Sequence, residues 1–213
     1  LVMLNFPVDE EIAEMLVTHG VPEGERRPLD GIIAPSFHEN AVGTFKRKGD
    51  KCRLLVNHEI EKLGRKSLDT APRYRYVRGG FLLQPNYTFV IDLKDPDLKK
   101  HGHATEAQED DMLMAKSIGD TSNSNTITIV RHGQLIANGV GQQARVRGAK
   151  LAINLVSYSD HESDGASASS DSFFPFTDGV EVLAKAGIKA IIATSGSIKD
   201  KDVIQFCHDH GIA

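Results

Sequence analysis

Asn125-Thr126-Ile127-Thr128-Ile129-Val130 alternates polar and apolar side chains, and the run ends at Arg131-His132-Gly133-Gln134. Leu135-Ile136-Ala137-Asn138-Gly139-Val140-Gly141 then returns, so the glycine at the turn predicts a β-hairpin. Residues 142–156 carry apolar side chains at helical spacing, and residues 189–193 are a further short apolar strand. Strands that alternate with helices in this way predict an α/β fold.

The N-terminal half shows the same alternation of strands and helices. Residues 2–6 and 31–35 are short apolar runs, and between them Asp9-Glu10-Glu11 precedes the stripe Ile12, Met15 and Leu16. Carboxylates at a helix N-terminus are favoured by the helix dipole, so a helix is expected there. The remaining expected elements are helices over 37–47, 105–118, 180–186 and 199–210, strands over 52–57, 74–78 and 81–84, and a Ser/Asp/Gly loop over 157–170.

Composition narrows the classes of protein. The chain has 213 residues and 25 Lys+Arg against 29 Asp+Glu, a net charge of -4 that argues against a nucleic-acid partner. It contains no apolar run long enough to span a membrane and no signal-peptide pattern at its start. Its two cysteines, Cys52 and Cys207, fit a reducing compartment, so a cytoplasmic location is expected. The ends at Leu1 and Ala213 look cut through structure, which predicts a fragment.

An aromatic cluster occurs in Ser170-Asp171-Ser172-Phe173-Phe174-Pro175-Phe176-Thr177-Asp178. Such a cluster beside carboxylates could form an apolar wall for a flat heterocycle, with a carboxylate accepting hydrogen bonds from ring N–H groups. The alternative is an aromatic plug that caps the sheet.

Two glycine-containing turns follow predicted strands. Asn138-Gly139-Val140-Gly141-Gln142-Gln143-Ala144-Arg145 leads into a helix, and Thr194-Ser195-Gly196-Ser197 precedes another. Small residues at the carboxyl ends of strands are where α/β proteins hold ligands. Judged alone, however, the first segment is more often a tight turn, and ordinary helix capping is slightly favoured for the second. Arg145 falls in the first helical turn, where the dipole disfavours a cation, so this side chain is expected to have a separate partner.

Together, segments 125–145, 170–178 and 187–197 resemble the AICAR transformylase domain of the bifunctional purine-biosynthesis enzyme in their order and spacing. Segments 5–13, 31–35 and 79–84 fit more loosely. The resemblance implies a three-layer αβα fold with a mixed sheet, built from cytidine deaminase-like units without zinc. Residues 1–100 would form a partial first unit, and residues 101–213 a second unit that carries the folate-site motifs.

The resemblance implies a homodimer that transfers a formyl group from 10-formyltetrahydrofolate to AICAR in purine biosynthesis. Asn125 would be the catalytic amide, since an amide can stabilise a developing oxyanion without titrating. By the same resemblance, the substrate AICAR would be bound by Phe173, Asn125 and Arg145. The folate co-substrate would be bound by Asp178, Pro175, Phe176, Val146 and Gln143.

The chain also departs from the family's pattern. The family's catalytic Lys-His pair precedes the region that matches Leu1, and an Arg that binds the nucleotide follows Ala213, so this stretch is expected to lack both. Ala144, Arg147 and Thr177 replace the usual Ser, Asp and Arg. A catalytically incomplete folate- or nucleotide-binding or assembly module is therefore the alternative hypothesis.

Metal binding is not expected. His101-Gly102-His103 and His208-Asp209-His210 have ligand-like spacing, but neither has a cysteine pair nearby, and the zinc-deaminase signature is absent from the sequence.

Overall fold

The computed structural model of the protein describes residues 1–49 and 51–213. The chain divides into two compact units, Leu1–Pro72 and Arg73–Ala213, and both combine helices with a β-sheet. The observed boundary follows residue 72, whereas the sequence analysis expected it at residue 100. Ile91 and Leu93 explain the difference, because they pack against Met112 and the last strand of the second unit. In the described residues, no helix is both long and apolar enough to cross a membrane.

The first unit is a parallel sheet with helices between its strands. Its strands follow the order β1-β2-β3 in space. The Asp9 carboxylate begins the first helix by accepting a hydrogen bond from the Ile12 amide at 2.9 Å. Met15 lies outside the core of this unit, which is built instead on Ala13 and Val17. The elements are β1 (Val2–Met3), α1 (Glu10–Thr18), β2 (Gly31–Ala34), α2 (Glu39–Thr44) and β3 (Arg53–Val56), followed by short 3₁₀ turns at His58–Lys62 and Arg65–Ser67.

The second unit contains a separate hairpin and a four-stranded mixed sheet of order β7-β6-β8-β9. β6 runs antiparallel to both β7 and β8, whereas β8 and β9 are parallel. Its elements are β4 (Arg73–Val77), β5 (Gly80–Gln84), α3 (Glu106–Asp120), β6 (Ile127–Arg131), β7 (Gln134–Gly139), α4 (Arg145–Tyr158), β8 (Ser167–Ser170), α5 (Asp178–Lys185), β9 (Ala190–Ile192) and α6 (Asp200–Asp209).

Helices cover both faces of this sheet. Ile127 and Ile129 belong to the core under α4 and α5, whereas Thr128 points to the other face, where Gly119 of α3 lies against it. Glycine is required where α4 crosses the sheet, because a Cβ at Gly139 would lie 2.3 Å from the Gly148 carbonyl oxygen. The predicted α/β class with a mixed sheet is therefore confirmed.

β8 corrects one sequence prediction. Residues 157–170 were expected to be a loop, but Ser167–Ser170 is a buried strand between β6 and β9. Serine and alanine have little hydrophobicity and weak strand preference, so a pattern search passes over them. The strand is held by its two neighbours, and its small side chains let α3 lie close to the sheet.

The β4–β5 hairpin presents an exposed apolar face. Its register pairs Tyr74 with Leu83 and Tyr76 with Phe81, which places these four side chains on one face. Each of them is more than half exposed. The opposite face carries Arg73, Arg75 and Leu82.

Asp111 ties α3 to the turn between β6 and β7. Its carboxylate is buried and accepts hydrogen bonds from the backbone amides of His132 at 2.9 Å and Gly133 at 2.7 Å. Both turn residues have positive φ angles, as a tight two-residue hairpin turn requires. The buried carboxylate thus accepts from two backbone donors of the turn at once.

Asp111→Ala is expected to lower the free energy of unfolding by about 2 kcal/mol, because the two hydrogen bonds that join α3 to the turn are lost. Asp111→Asn keeps one acceptor oxygen and should cost less. Urea unfolding followed by circular dichroism measures both. Asp110→Ala, at an exposed neighbouring carboxylate, is the matched control and should stay within about 0.5 kcal/mol of wild type. Equal stability of Asp111→Ala and this control would contradict the stabilising role of the Asp111 hydrogen bonds.

Candidate functional site

The segments singled out in the sequence meet at one edge of the second unit's sheet. β6 begins there, and β7, β8 and β9 end there, because β6 is antiparallel to β7 and β8 while β9 is parallel to β8. Three sets of contacts show the convergence: the Asn125 amide donates to the Gln142 carbonyl, the Asp171 amide donates to the Thr126 carbonyl, and Gly196 lies beside the Phe173 ring. Carboxyl ends of strands are the usual ligand edge of α/β proteins.

Asn125, two residues before β6, is held by hydrogen bonds of its backbone and its side chain. Its backbone exchanges two hydrogen bonds with Gln142, each 3.1 Å long. Its side-chain Nδ2 donates to the Gln142 carbonyl oxygen at 2.8 Å, and its Oδ1 accepts from Arg145 at 2.8 Å. One N–H of this half-buried amide makes no hydrogen bond within the described residues and can serve a bound molecule.

Arg145 and Asp171 form a shielded ion pair beside Asn125. Arg145 Nη1 lies 2.5 Å from Asp171 Oδ1, and the two side chains are only 9% and 13% exposed. The same Nη1 donates to Ser170 Oγ at 2.9 Å. The expectation that Arg145 has a separate partner is therefore confirmed, and Asp171 is that partner.

The Asp171 carboxylate accepts two further hydrogen bonds. Its Oδ1 accepts from the Thr126 amide at 2.9 Å, and its Oδ2 accepts from Ser124 Oγ at 2.5 Å. Burial alone would raise the pKa of this carboxyl, but the hydrogen bonds from Ser124, Thr126 and Arg145, together with the Arg145 charge, outweigh burial and lower the pKa. Asp171 is therefore a carboxylate throughout the neutral pH range, and the ion pair persists there.

The aromatic segment divides between core and surface. Phe174 is 4% exposed and packs in the core of the unit, where its ring lies so close to Gly179 that a Cβ there would be 2.8 Å away. Phe173 and Phe176 are 36% and 61% exposed. Phe174 is therefore a core ring, as the interpretation of an aromatic plug expects, whereas the role of the two surface rings as a wall for a heterocycle stays a prediction.

The other predicted site residues lie nearby in the chain. Val146 is the second residue of α4, half-buried, and Gln143 is exposed just before that helix. Pro175 is half-buried between the exposed rings, and Asp178 begins α5 with its carboxylate accepting from the Gly179 amide at 2.8 Å. In the described part of the chain, no hydrogen bond joins Gln143 or Asp178 to the cluster around Asn125.

Both glycine turns have structural explanations. Gly139 allows α4 to approach the sheet, and Gly141 has a φ of +72°. At the other turn, the Asp200 carboxylate accepts from the amides of Gly196 and Ser197 at 2.8 and 3.1 Å. These contacts fix the shape of the edge without assigning it a ligand.

Across the described residues, no group of three or more His, Cys, Asp or Glu side chains is placed to hold a metal ion. His208 lies 3.6 Å from Asp209, and His210 stacks on Phe206 with ring centroids 3.9 Å apart.

Sequence reasoning did not assign roles to Asp171, Ser124 and Gln142. The unfavourable position of Arg145 at a helix N-terminus was the available signal, because it called for a buried acid. Asp171 stood inside the quoted aromatic segment, but only the antiparallel pairing of β6 with β8 brings it to Asn125.

An α/β unit with an amide, an ion pair and two exposed aromatic rings at the carboxyl edge of its sheet has the features of a small-molecule binding protein or enzyme. The sequence pattern of the AICARFT/IMPCHase bienzyme family matches residues 1–155. The chain belongs to this family.

Curated proteins that match this chain over its whole length support the same family. The chain is 36% identical over 213 residues to the bifunctional purine biosynthesis protein PurH of Anoxybacillus flavithermus, which covers all of this chain and 38% of that protein. It is 33% identical to the protein of the same name from Aquifex aeolicus over the same spans, and 34% identical to that of Staphylococcus carnosus, of which 40% is covered. The chain spans about two fifths of the length of these relatives.

Phe174→Ala is expected to destabilise the second unit by about 3–5 kcal/mol, because it empties a core position. Phe176→Ala removes an exposed ring and should change stability by no more than about 0.5 kcal/mol. Thermal and urea unfolding of the two variants measure the difference. Equal losses at the two positions would contradict the division of the aromatic segment into core and surface.

Proposed function

We propose that this chain carries the site that transfers a formyl group from 10-formyltetrahydrofolate to the exocyclic amine of AICAR. The proposal includes a cytidine deaminase-like fold for the chain and a cytoplasmic location. The observation that carries it is the meeting of Asn125 with the aromatic segment at one sheet edge. Membership in a family named for both AICAR formyl transfer and IMP cyclohydrolase activity supports the choice of reaction.

Asn125 suits the chemistry of the transfer. As the amine attacks the formyl carbon, negative charge develops on the formyl oxygen, and the available Nδ2–H can donate to that oxygen. The amide does not titrate, so this role is independent of pH. Phe173, exposed beside Gly196, would border the AICAR ring.

The folate side of the site would be built from the second half of the aromatic segment. Phe176 is an exposed ring for stacking, and the exposed Asp178 carboxylate can accept hydrogen bonds from a pterin. Pro175, next to Phe176 in the chain, adds a rigid apolar surface. Val146 and Gln143, at the start of α4, would contribute contacts to the same co-substrate.

A second candidate is a module that binds folate or nucleotide without catalysing the transfer. The Arg145–Asp171 pair favours it, because Asp171, with its lowered pKa, stays a carboxylate at neutral pH and its hydrogen-bonding capacity is taken up by Arg145, Thr126 and Ser124. The proton released by the attacking amine must therefore go to an acceptor outside this cluster.

Asp178→Ala is expected to weaken binding of a folate analogue about tenfold, because a charge-assisted hydrogen bond is lost. Titration calorimetry on the purified protein measures the dissociation constant. Asp110→Ala is the control and should bind as wild type does. Unchanged affinity in Asp178→Ala, or no binding by wild type, would remove the folate pocket from the proposal.

Asn125→Ala tests the transfer itself and should lower kcat about 100-fold if Asn125 meets the oxyanion. Product formation from AICAR and 10-formyltetrahydrofolate is the measurement, and Asn154→Ala, an exposed amide on α4, is the matched control. Binding of both substrates by a wild type that forms no product would select the non-catalytic module.

We also propose that the protein is a homodimer, as the resemblance implies. The β4–β5 hairpin supports this, because a two-stranded sheet needs a packed face and its four apolar side chains are uncovered. A second copy can cover this face with its own identical face across a two-fold axis.

Leu83→Lys is expected to shift the protein from dimer to monomer, because it places a charge in the apolar face. Leu82→Lys is the control on the opposite face, equally exposed and next to Arg75 in register. Sedimentation velocity at several concentrations measures the change. A wild type that stays monomeric at all concentrations would contradict this assignment of the hairpin.

A further inference from the structure

The first unit contains a small cavity whose lining is strongly basic. The cavity has a volume of about 200 Å³ and lies between the loop that leads into β2 and the end of α2. Its lining, within the described residues, includes four cations and no acid. We call it the basic cavity and define it by its polar lining residues, Arg26, Arg27, Thr44, Lys46, Arg47 and Cys52.

Backbone carbonyls hold two of these arginines in place. Arg27 Nη2 donates to the His19 carbonyl oxygen at 2.7 Å, just after α1, and Arg47 Nη1 donates to the Leu29 carbonyl oxygen at 2.9 Å. A neutral carbonyl fixes a guanidinium without cancelling its charge. Each guanidinium has five N–H donors, so several remain for a bound molecule.

Acidic side chains compensate only part of the charge around the basic cavity. Arg26 pairs with Glu14, and each of these side chains is 52% exposed. Asp30 lies 3.0 Å from Arg47, but its side chain is 86% exposed. Exposed pairs of this kind contribute little, because water screens them.

Arg27 and Lys46 form no ion pair in the described part of the chain. Two of the four cations that line the basic cavity therefore lack an acidic partner. Like charges around one small space repel each other, and a bound anion would remove that cost. A phosphate ester carries a charge of about −1.5 to −2 at pH 7, which matches the two unpaired cations.

Two neutral groups add hydrogen-bonding capacity to the basic cavity. The Thr44 hydroxyl, in the last residue of α2, makes no hydrogen bond within the described residues and can donate to an anion. Burial raises the pKa of the Cys52 thiol, although nearby Arg47 opposes the shift, so the thiol stays neutral at neutral pH. Neither group reduces the positive charge of the cavity.

The size of the basic cavity restricts its ligand. A volume of about 200 Å³ equals that of roughly seven water molecules in the liquid. Pockets that enclose drug-sized ligands begin at about 300 Å³. The space therefore suits a small anion rather than a whole nucleotide or folate.

We propose that the basic cavity binds a phosphate group, either free phosphate or the phosphate of a small ester. Arginine recognises phosphate oxygens with its planar fork, and lysine adds a compact charge. All residues of the basic cavity belong to the first unit. The inference is thus independent of the formyl transfer proposed for the second unit.

Nuclear magnetic resonance tests the site with inorganic phosphate added to the whole 213-residue protein. Ionic strength is held constant with sodium chloride, because screening alone can move signals of charged residues. The backbone amide signals of Arg27, Thr44 and Arg47 should shift with phosphate until they saturate, and chloride should leave them in place. Their midpoint gives the dissociation constant.

Lys46→Glu and the matched control Lys48→Glu separate the cavity from general attraction. Both lysines are exposed and change the net charge equally, but only Lys46 lines the basic cavity. Lys46→Glu should raise the dissociation constant about tenfold or more, because a charge-assisted contact is lost and a repulsive charge is added. Lys48→Glu should raise it no more than about twofold. Thermal unfolding should show both variants as stable as wild type, since neither lysine has a contact in the described residues.

Thiol labelling gives a second measurement within the wild-type protein. Bound phosphate should slow the reaction of Cys52 with N-ethylmaleimide, because the ligand covers the thiol. Cys207 belongs to the second unit and should react at the same rate with and without phosphate. Peptide mass spectrometry measures the two sites separately.

Ribose 5-phosphate distinguishes the two sources of the phosphate group. Binding about tenfold tighter than that of inorganic phosphate would assign the site to phosphate esters, and equal or weaker binding would assign it to free phosphate. Two results overturn the proposal: no saturable shift with either probe at millimolar concentration, or equal weakening in Lys46→Glu and Lys48→Glu.

Discussion

The carboxylate of Asp171 joins the segments that make the sheet edge. One oxygen accepts from the start of β6 and from the first residue of α4, and the other accepts from the loop before β6. Removing a charged group from water is costly unless its hydrogen-bonding capacity is filled, and here the donors lower the carboxyl's pKa despite burial. Asp171 and Arg145 together link the chain before β6, the end of β8 and the start of α4, so the arrangement of the edge depends on this ion pair.

A second constraint is close packing through small side chains. Gly139 and Gly148 let α4 lie against the sheet, and Gly119 does the same for α3 beside Thr128. The buried serines of β8 belong to this pattern, since larger side chains there would push α3 outward. Helices held this close to the sheet leave little room for the strands to shift, so this packing helps to fix the outline of the edge.

The α/β class, most helices and the β6–β7 hairpin were predictable, because their apolar residues repeat at helical or strand spacing. β8 was not, because its residues become a strand only through two neighbours and a covering helix. At the candidate site, the sequence indicated that Arg145 needs a partner, but the register between β6 and β8 determines that the partner is Asp171. The exposure of Phe173 and burial of Phe174 likewise depend on tertiary packing, since adjacent identical residues carry no pattern that separates them.

The segment from Ser170 to Asp178 therefore combines three physical roles. Its first residues complete the ion-pair network, Phe174 anchors the segment in the core, and Phe176 and Asp178 stay on the surface at the start of α5. The anchor makes the surface groups useful, because a ring and a carboxylate on a mobile loop would lose binding energy to ordering. The same segment also links the Asn125 amide to the aromatic surface through Asp171 and Arg145. This continuity along one stretch of chain is the structural support for the proposal that binding and transfer share a single site.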